Sequence, residues 1–261
     1  MFNITSIQNV NKQNTILNKL GFFLLKFSNL FEVFIIVLFW IIIFKNSNSS
    51  GEFTRENVIV YILIGNFISL ITGFFSFNIV NKEIQNKNSK MLIYNPIKYF
   101  FHVIFSNFAK FIPIFIFSAL IYSLFLHYFS NNFLINKNPM LLLIIAIMII
   151  LAFFTEFLII YLINIYIFWT FESKHLFQII IRLKKIISGN YFPIDMLSVV
   201  FVKISYYLPF AYSFFIPTQL YLKKISIQNG IKGIIIQIFW IIFLYIIISI
   251  SWHKQIQKNK I

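Results

Sequence analysis

Long apolar runs separated by short polar stretches dominate the chain. A membrane-spanning helix needs about 20 apolar residues at about 1.5 Å of rise each. Residues 57–81, 111–136 and 233–252 are uncharged runs of that kind, and residues 139–171 contain one charge, Glu156. Because residues 139–171 exceed one bilayer crossing, they predict a span followed by part of a hairpin.

The first apolar run is shorter than the others. Residues 33–44 make only 12 apolar positions, so the predicted first span extends back through Glu32 to about Phe27. Within residues 1–26, the sequence predicts an amphipathic cytoplasmic helix that lies on the membrane surface and leads into this span.

Composition identifies the class of protein. The chain has 261 residues, of which 59% are hydrophobic and 11% charged, whereas soluble domains carry about 25% charged residues. A soluble protein of this size has no core large enough for so much apolar surface. We therefore expect an all-α integral membrane protein forming one domain over residues 1–261. The sequence contains no cysteine, which excludes disulfides and thiolate metal sites.

The basic charge predicts orientation rather than nucleic-acid binding. Lysine and arginine number 22 against 7 acidic residues, but they are spread among spans and short loops. Anionic lipid headgroups are the expected counter-charge, and no nucleic-acid partner is expected. Most of these cations fall on one side if the N-terminus is inside, which places both termini in the cytoplasm. An even number of spans follows, and six is the natural count, with the fifth inside residues 172–232.

Residues 173–188 allow two interpretations. A stripe of polar side chains recurs at helical spacing. One interpretation is a fifth span whose stripe faces a protein-lined conduit. The other is an amphipathic helix on the inner membrane surface, with residues 196–222 as the fifth span. The stripe consists of His175, Gln178, Arg182 and Lys185.

The apolar pattern breaks after this stripe. Glycine and proline recur through residues 189–222, and a proline inside a helix costs about 3 kcal/mol unless neighbouring groups compensate. Irregular backbone at membrane depth is tolerated only where protein or a cavity covers it. We therefore predict a re-entrant extracellular cap before the last span. Its marker residues are Gly189, Pro193, Asp195, Pro209, Phe210 and Pro217.

Three charges fall within predicted spans. Charges in a membrane are costly unless they are paired or hydrated. We expect Lys110 to pair with Glu156, or with Glu32 in its place. The functional alternative is that one of these carboxylates couples transport to protons.

The sequence lacks the common motifs of ATP binding and of hydrolytic catalysis. It contains no G-x-x-x-x-G-K-[ST], H-E-x-x-H or G-x-S-x-G pattern, so neither ATP binding through a P-loop nor hydrolytic chemistry is expected of this chain. An ion-coupled carrier or channel that uses Glu156 and Lys110 stays open. A membrane enzyme or assembly factor would need a polar reactive cluster that the sequence does not display.

Several short motifs occur in a defined order. They are "NKEIQNKNSKMLIYNP" (81–96), "FW" (168–169), "SGNYFPID" (188–195), "LPFAYSFFIPTQLYL" (208–222) and "WHKQIQKNK" (252–260). Together they resemble type-2 ABC transporter permeases, in particular a six-span group linked to natural-product export.

This resemblance implies a function and a set of partners. Such a permease is half of a dimeric exporter, built from two copies or from two homologous permeases, in the bacterial cell (inner) membrane. ATP and magnesium bind to a separate ATP-binding subunit, not to the permease, and the cargo is amphipathic, lipid-like or drug-like. Residues 189–222 would form the outer gate and close at Pro209 and Phe210, although their aromatic residues also suit an ordinary interfacial belt.

The resemblance also assigns a role to residues 82–98. They would couple the permease to the ATPase, and the alternative is a loop that binds anionic lipid. The predicted coupling residues are Glu83, Lys90, Leu92 and Pro96.

Overall fold

A computed structural model describes residues 30–45, 49–50, 53–73, 96–129, 138–170 and 174–258. These residues are helical apart from turns and a small antiparallel pair of strands, β1 (Ser49–Ser50) and β2 (Phe53–Thr54). The amphipathic helix predicted within residues 1–26 and positions 82–95 of the predicted coupling segment lie outside the described residues. The helices are α1 (Leu30–Ile43), α2 (Arg55–Thr72), α3 (Pro96–Phe129), α4 (Pro139–Thr170), α5 (Lys174–Ile187), α6 (Val199–Tyr207), α7 (Phe215–Tyr221) and α8 (Ile227–Lys258), with short 3-10 helices at Ile194–Met196 and Ala211–Ser213.

Helix starts follow ordinary capping chemistry. The Thr54 hydroxyl accepts a hydrogen bond from the Asn57 backbone N–H at the start of α2. The Asn138 side-chain oxygen accepts from the backbone N–H groups of Met140 and Leu141 at the start of α4. Pro139 occupies the first position of α4, where a missing N–H loses no helical hydrogen bond.

The span plus partial hairpin predicted for residues 139–171 is wrong. Residues Pro139–Thr170 form one continuous helix of 32 residues, which is about 48 Å long. After Pro139 this stretch contains neither glycine nor proline, so nothing in the sequence interrupts it. Its excess over a hydrocarbon thickness of about 30 Å extends the helix beyond the bilayer rather than folding it back.

The described residues contain three helices long and apolar enough to cross a membrane. They are Arg55–Thr72, Pro139–Ile163 and Ile227–Ser251, and shorter apolar helices occupy Leu30–Ile43 and Phe115–Phe125. Large apolar side chains such as Phe105 and Phe239 are exposed along the helices, as expected of surfaces that face lipid. The chain is therefore a helical membrane protein, and the count of six spans stays a prediction.

Helices α4 and α8 run parallel. Gly230 lies against Ile144, Gly233 lies against Met148, and farther along the pair Phe157 and Leu244 share one apolar cluster. Helix α3 begins at the far end of this pair, because the Phe100 ring packs on Phe157 with centroids 4.8 Å apart. These contacts define two ends of the bundle, one where α4 and α8 begin and one where α3 begins.

Candidate functional site

The break predicted after residues 173–188 is present. Helix α5 ends at Ile187, and the backbone N–H of Asn190 bonds back to the Lys185 carbonyl oxygen over 3.0 Å. Gly189 has φ +81°, a left-handed conformation that disfavours side chains. A Cβ atom at this position would lie 2.7 Å from the Tyr61 hydroxyl oxygen. Glycine is therefore required both by the backbone and by the neighbouring ring.

The segment after the break enters the bundle and returns. The Trp240 indole N–H donates to the Tyr207 carbonyl oxygen over 3.0 Å, which places the end of α6 about 20 Å along α8. Leu220, near the end of α7, lies against Gly230, only about 5 Å along α8. Because Gln219 also donates to the Asp195 carboxylate over 3.0 Å, the residues just before α6 lie level with α7. Helix α6 thus runs into the bundle, and α7 runs back.

The prolines of this segment sit where a helix tolerates them. Pro209 follows the end of α6 and is buried, at a junction where no helical hydrogen bond is lost. Pro217 is the third residue of α7, within its first turn, where N–H groups have no helical partner. Pro193 precedes the 3-10 helix at Ile194, and Phe210 precedes the one at Ala211. The prolines therefore set the boundaries of short elements instead of kinking a long one.

Aromatic packing fixes the returning half of the segment. The Tyr61 ring makes edge-on contacts with Phe214 and Phe215, at centroid distances of 5.7 and 6.2 Å. Gly65 lets α2 approach, because a Cβ there would overlap the Phe214 ring. Tyr206 meets Phe215 from the other side at 6.1 Å. These aromatic residues form a packed core under the re-entrant segment, beyond any role at a membrane interface.

A buried glutamine ties this segment to two long helices. The Gln237 amide N–H donates to the carbonyl oxygens of Met148 and Tyr212, over 3.2 and 3.1 Å. The side chain is fully buried. Gln237 was not among the predicted site residues, although it is the one amide in the otherwise apolar run of residues 233–246.

Two ion pairs connect α5 to its neighbours. The Lys184 ammonium lies 2.5 Å from a Glu156 carboxylate oxygen on α4, and the Lys185 ammonium lies 2.6 Å from Glu32 on α1. The Tyr191 hydroxyl donates to the same Glu32 carboxylate over 3.1 Å, and the Trp40 indole donates to the Tyr191 carbonyl over 3.0 Å. The region after α5 is therefore bonded to α1 at two points.

These pairs give Glu156 and Glu32 partners that the sequence did not predict, and the pairing predicted for Lys110 stays a prediction. Both carboxylates take their cation from α5, and the Lys110 side chain lies outside the described residues. The predicted pairs joined charges at similar depth in the long spans. The cations of α5 were predicted instead to face a conduit or to lie at the membrane surface. Helical periodicity identifies which residues share a face, but the neighbours of that face depend on tertiary packing.

Helix α5 turns Lys184 and Lys185 inward and the apolar side chains of its opposite arc outward. Lys184 and Lys185 reach the bundle, whereas the opposite arc is exposed and consists of Ile179, Ile180, Leu183 and Ile186. Glu156 lies about 25 Å from the start of the membrane-crossing part of α4, Pro139–Ile163, and about 10 Å from its end, so Lys184 reaches a point within the span on the side where α3 begins. A helix on a membrane surface keeps its lysines in water. The ion pairs agree with the embedded interpretation of residues 173–188, and the position of α5 relative to the membrane stays a prediction.

The predicted conduit stripe is only partly described. Lys185 bonds to Glu32, and Arg182 is exposed beside the apolar arc of α5. The side chains of His175 and Gln178 lie outside the described residues. Of the predicted coupling residues, Glu83, Lys90 and Leu92 lie outside them too, and Pro96 is the first residue of α3.

Asp195 is the one acidic side chain of the re-entrant segment. The residue is exposed as a whole, but its carboxyl turns toward buried Gln219. Desolvation raises the pKa of this carboxyl, and the Lys224 ammonium offsets part of the rise. Within the described residues, no group of three or more His, Cys, Asp or Glu side chains is placed to hold a metal ion.

Comparison with known proteins gives one result. A family model described as ABC-2 family transporter protein matches residues 30–261. Searches of curated proteins and of solved structures gave no match. The matched range takes in α1 to α8 together with the break and the re-entrant segment.

Proposed function

Because the chain belongs to the ABC-2 transporter family, we propose that it is the permease subunit of an ATP-driven exporter. Its cargo is an amphipathic compound, such as a lipid-like molecule, a drug or a natural product, that moves out of the cell. A separate ATP-binding subunit binds ATP and magnesium and hydrolyses ATP. The permease itself is not an enzyme.

The extent of the family match carries this proposal. It spans residues 30–261 and therefore rests on a whole bundle rather than on one short motif. The helical break at Gly189 and the returning hairpin add structural support, since both fall inside the matched range.

The start of α3 offers a route for coupling. Residues 82–98 would receive the ATPase, and Pro96 joins them directly to α3. One turn later, the Tyr99 and Phe100 rings pack on Phe157 of α4, at centroid distances of 6.3 and 4.8 Å. Phe157 is the neighbour of Glu156, which holds Lys184 of α5. Movement of residues 82–98 would thus reach α5 through two packed helices and one ion pair.

The re-entrant segment would be the outer gate. Within residues 189–222, α7 packs where α4 and α8 begin, at the opposite end of the bundle from the start of α3, and the turn at Pro209 and Phe210 lies about 20 Å along α8. The excess of lysine and arginine near the termini favours the cytoplasm for the α3 end. The gate then faces outward, with its closure point at Pro209 and Phe210, in the inner membrane of a bacterial cell.

Two permease chains would complete the exporter. They are either two copies of this chain or this chain and a homologue, with the ATP-binding subunits docked on their cytoplasmic face. Membrane lipids cover the remaining exposed apolar surface.

Affinity purification tests the proposal. Tagged chain is isolated from gently solubilised membranes, and its partners are identified by mass spectrometry. We expect a P-loop ATPase that is lost when Lys90 and Leu92 are replaced, and retained in the control Lys203→Gln on α6. A chain that purifies without an ATPase, under conditions that preserve a known ABC complex, would contradict the proposal and favour a gradient-driven carrier based on Glu156 and Lys110.

A further inference from the structure

Over residues 179–187, where the structure describes its side chains, α5 is attached to the bundle mainly through Lys184 and Lys185. In the described part of the chain its backbone makes few close approaches to the other helices. Its apolar arc points away from the bundle, while Lys184 and Lys185 extend inward to carboxylates on two different helices. Moving residues 179–187 away would therefore cost little buried apolar surface, but it would separate two ion pairs.

The burial of the Lys184–Glu156 pair determines what is needed to separate its two charges. Glu156 lies within the membrane-crossing part of α4, and its side chain is only 3% exposed. At this depth a separated charge is costly unless water or a polar group replaces its partner. The Lys184–Glu156 pair can open only if a hydrated or polar passage forms between α5 and α4, and the partly exposed Lys185–Glu32 pair marks the α1 side of that passage.

One movement breaks both pairs. Lys184 and Lys185 are adjacent on α5, and Glu156 and Glu32 hold them from two sides. The break at Gly189 follows within one turn, and Tyr61 and Trp40 anchor the backbone there. Gly189 is thus positioned as a pivot, with the two lysines on the moving side.

We propose that Glu32, Glu156, Lys184 and Lys185 line the cargo passage through the part of the membrane beside α5. In this structure their ion pairs close that passage. When α5 swings away, one wall carries two ammonium groups and the facing wall carries two carboxylates, so the passage suits the polar headgroup of an amphiphile. This inference rests on the proposed exporter function and adds to it a closing device and its position.

Thiol labelling of the complex tests the inference. The chain contains no cysteine, so Ser188→Cys introduces a single reporter at a site that is now 4% exposed. The complex of permease and ATPase is placed in lipid vesicles and treated with a small membrane-impermeant thiol reagent. We expect ATP to raise the labelling rate by about tenfold or more, as an open state populated at about 10% or less becomes dominant.

Replacing the Lys184–Glu156 ion pair with two apolar residues distinguishes a gate from a purely structural contact. Replacing a buried ion pair with apolar residues usually preserves the fold. In the Ser188→Cys background, the double variant Glu156→Leu with Lys184→Met should still purify with the ATPase, but ATP should no longer raise labelling. Labelling that rises as in the parent would show that the pair is structural only, and would overturn the inference.

The exchanged pair Glu156→Lys with Lys184→Glu gives a second test. It keeps one charge of each sign, so ATP-dependent labelling should return toward the parent rate. A folded, ATPase-bound exchange variant that does not open would overturn the inference even if the apolar variant failed to fold. Absence of any ATPase would instead contradict the exporter function, whereas a bound ATPase with ATP-independent labelling would contradict this inference alone.

Discussion

The Tyr61 hydroxyl donates a hydrogen bond to the Gly189 carbonyl oxygen over 2.7 Å, and both residues are buried. This bond joins the middle of α2 to the point where α5 ends. It satisfies the Gly189 carbonyl group, which lies outside any helix. A buried carbonyl group without a hydrogen-bond partner would cost free energy. The position of the break is therefore fixed by side chains far away in sequence as well as by the glycine itself.

Gly189→Ala should destabilise the protein. The left-handed conformation at φ +81° costs an alanine about 1–2 kcal/mol, and the added methyl group would press on the Tyr61 hydroxyl. Thermal unfolding in detergent measures the loss. Gly230→Ala in α8 is the comparison without a left-handed conformation and should lose less, because a helix-propensity gain of about 1 kcal/mol offsets the pressure of the methyl group on Leu220 and Ile144, 3.0 and 3.1 Å away. An equal loss in both variants would contradict the role given to the left-handed conformation.

Gly65→Ala should cost about 1–3 kcal/mol, as overpacking of a core does. Its methyl group would overlap the Phe214 ring, which packs between α2 and the returning segment. The smaller side chain in Phe214→Leu should remove the overlap. The double variant should therefore be more stable than the sum of the two single losses predicts, and simple additivity in unfolding experiments would refute the contact.

Lys184→Met should destabilise the protein more than Lys185→Met. The first substitution leaves Glu156, which is 3% exposed, as an unpaired charge, at a cost of about 3–5 kcal/mol. The second leaves Glu32, which is 35% exposed and keeps the Tyr191 hydroxyl as a donor. Arg182→Met is the control, since its exposed side chain predicts a change within about 0.5 kcal/mol. The reverse order of the two lysine variants in thermal unfolding would contradict this account.

Asp195→Asn should preserve or slightly raise stability at neutral pH. The asparagine oxygen still accepts from Gln219, and the desolvation that raises the pKa of Asp195 no longer penalises an ionised group. For the native aspartate, the raised pKa means that stability falls as the pH rises from the unfolded-state pKa through the folded-state pKa. The stability of Asp195→Asn should not decrease over this pH range.

Asp195→Ala supplies the contrast. It removes the acceptor and leaves the buried Gln219 amide N–H unpaired, at a cost of about 1–3 kcal/mol. Melting temperatures of the native protein, Asp195→Asn and Asp195→Ala across the acid range separate the effect of ionisation from the effect of losing the hydrogen bond. If asparagine and alanine behave alike, the hydrogen bond to Gln219 contributes nothing.

Composition and apolar run length predicted most of the long helices. The runs at 57–81, 111–136, 139–171 and 233–252 correspond to α2, α3, α4 and α8, since apolar stretches of that length satisfy their own backbone only as helices. Their ends were predicted less well. A helix continues until glycine, proline or a cap interrupts it, and residues 139–170 contain no interruption after Pro139.

The candidate site was predictable in part. Glycine and proline positions indicated the break at Gly189 and the short elements after it. The ion partners were not predictable, because Lys184 reaches Glu156 only through the placement of α5 beside α4. Gln237 was missed for a related reason. Its two carbonyl partners, Met148 and Tyr212, are distant in sequence, and only the fold brings them together.

The composition of α5 has a consequence for biogenesis. Arg182, Lys184 and Lys185 lie within 14 residues, and such a segment does not partition into lipid by itself. Its counter-charges, Glu32 and Glu156, both precede it in the chain. During synthesis the carboxylates on α1 and α4 therefore emerge from the ribosome before the lysines do. The order of translation supplies α5 with its partners at the moment it integrates.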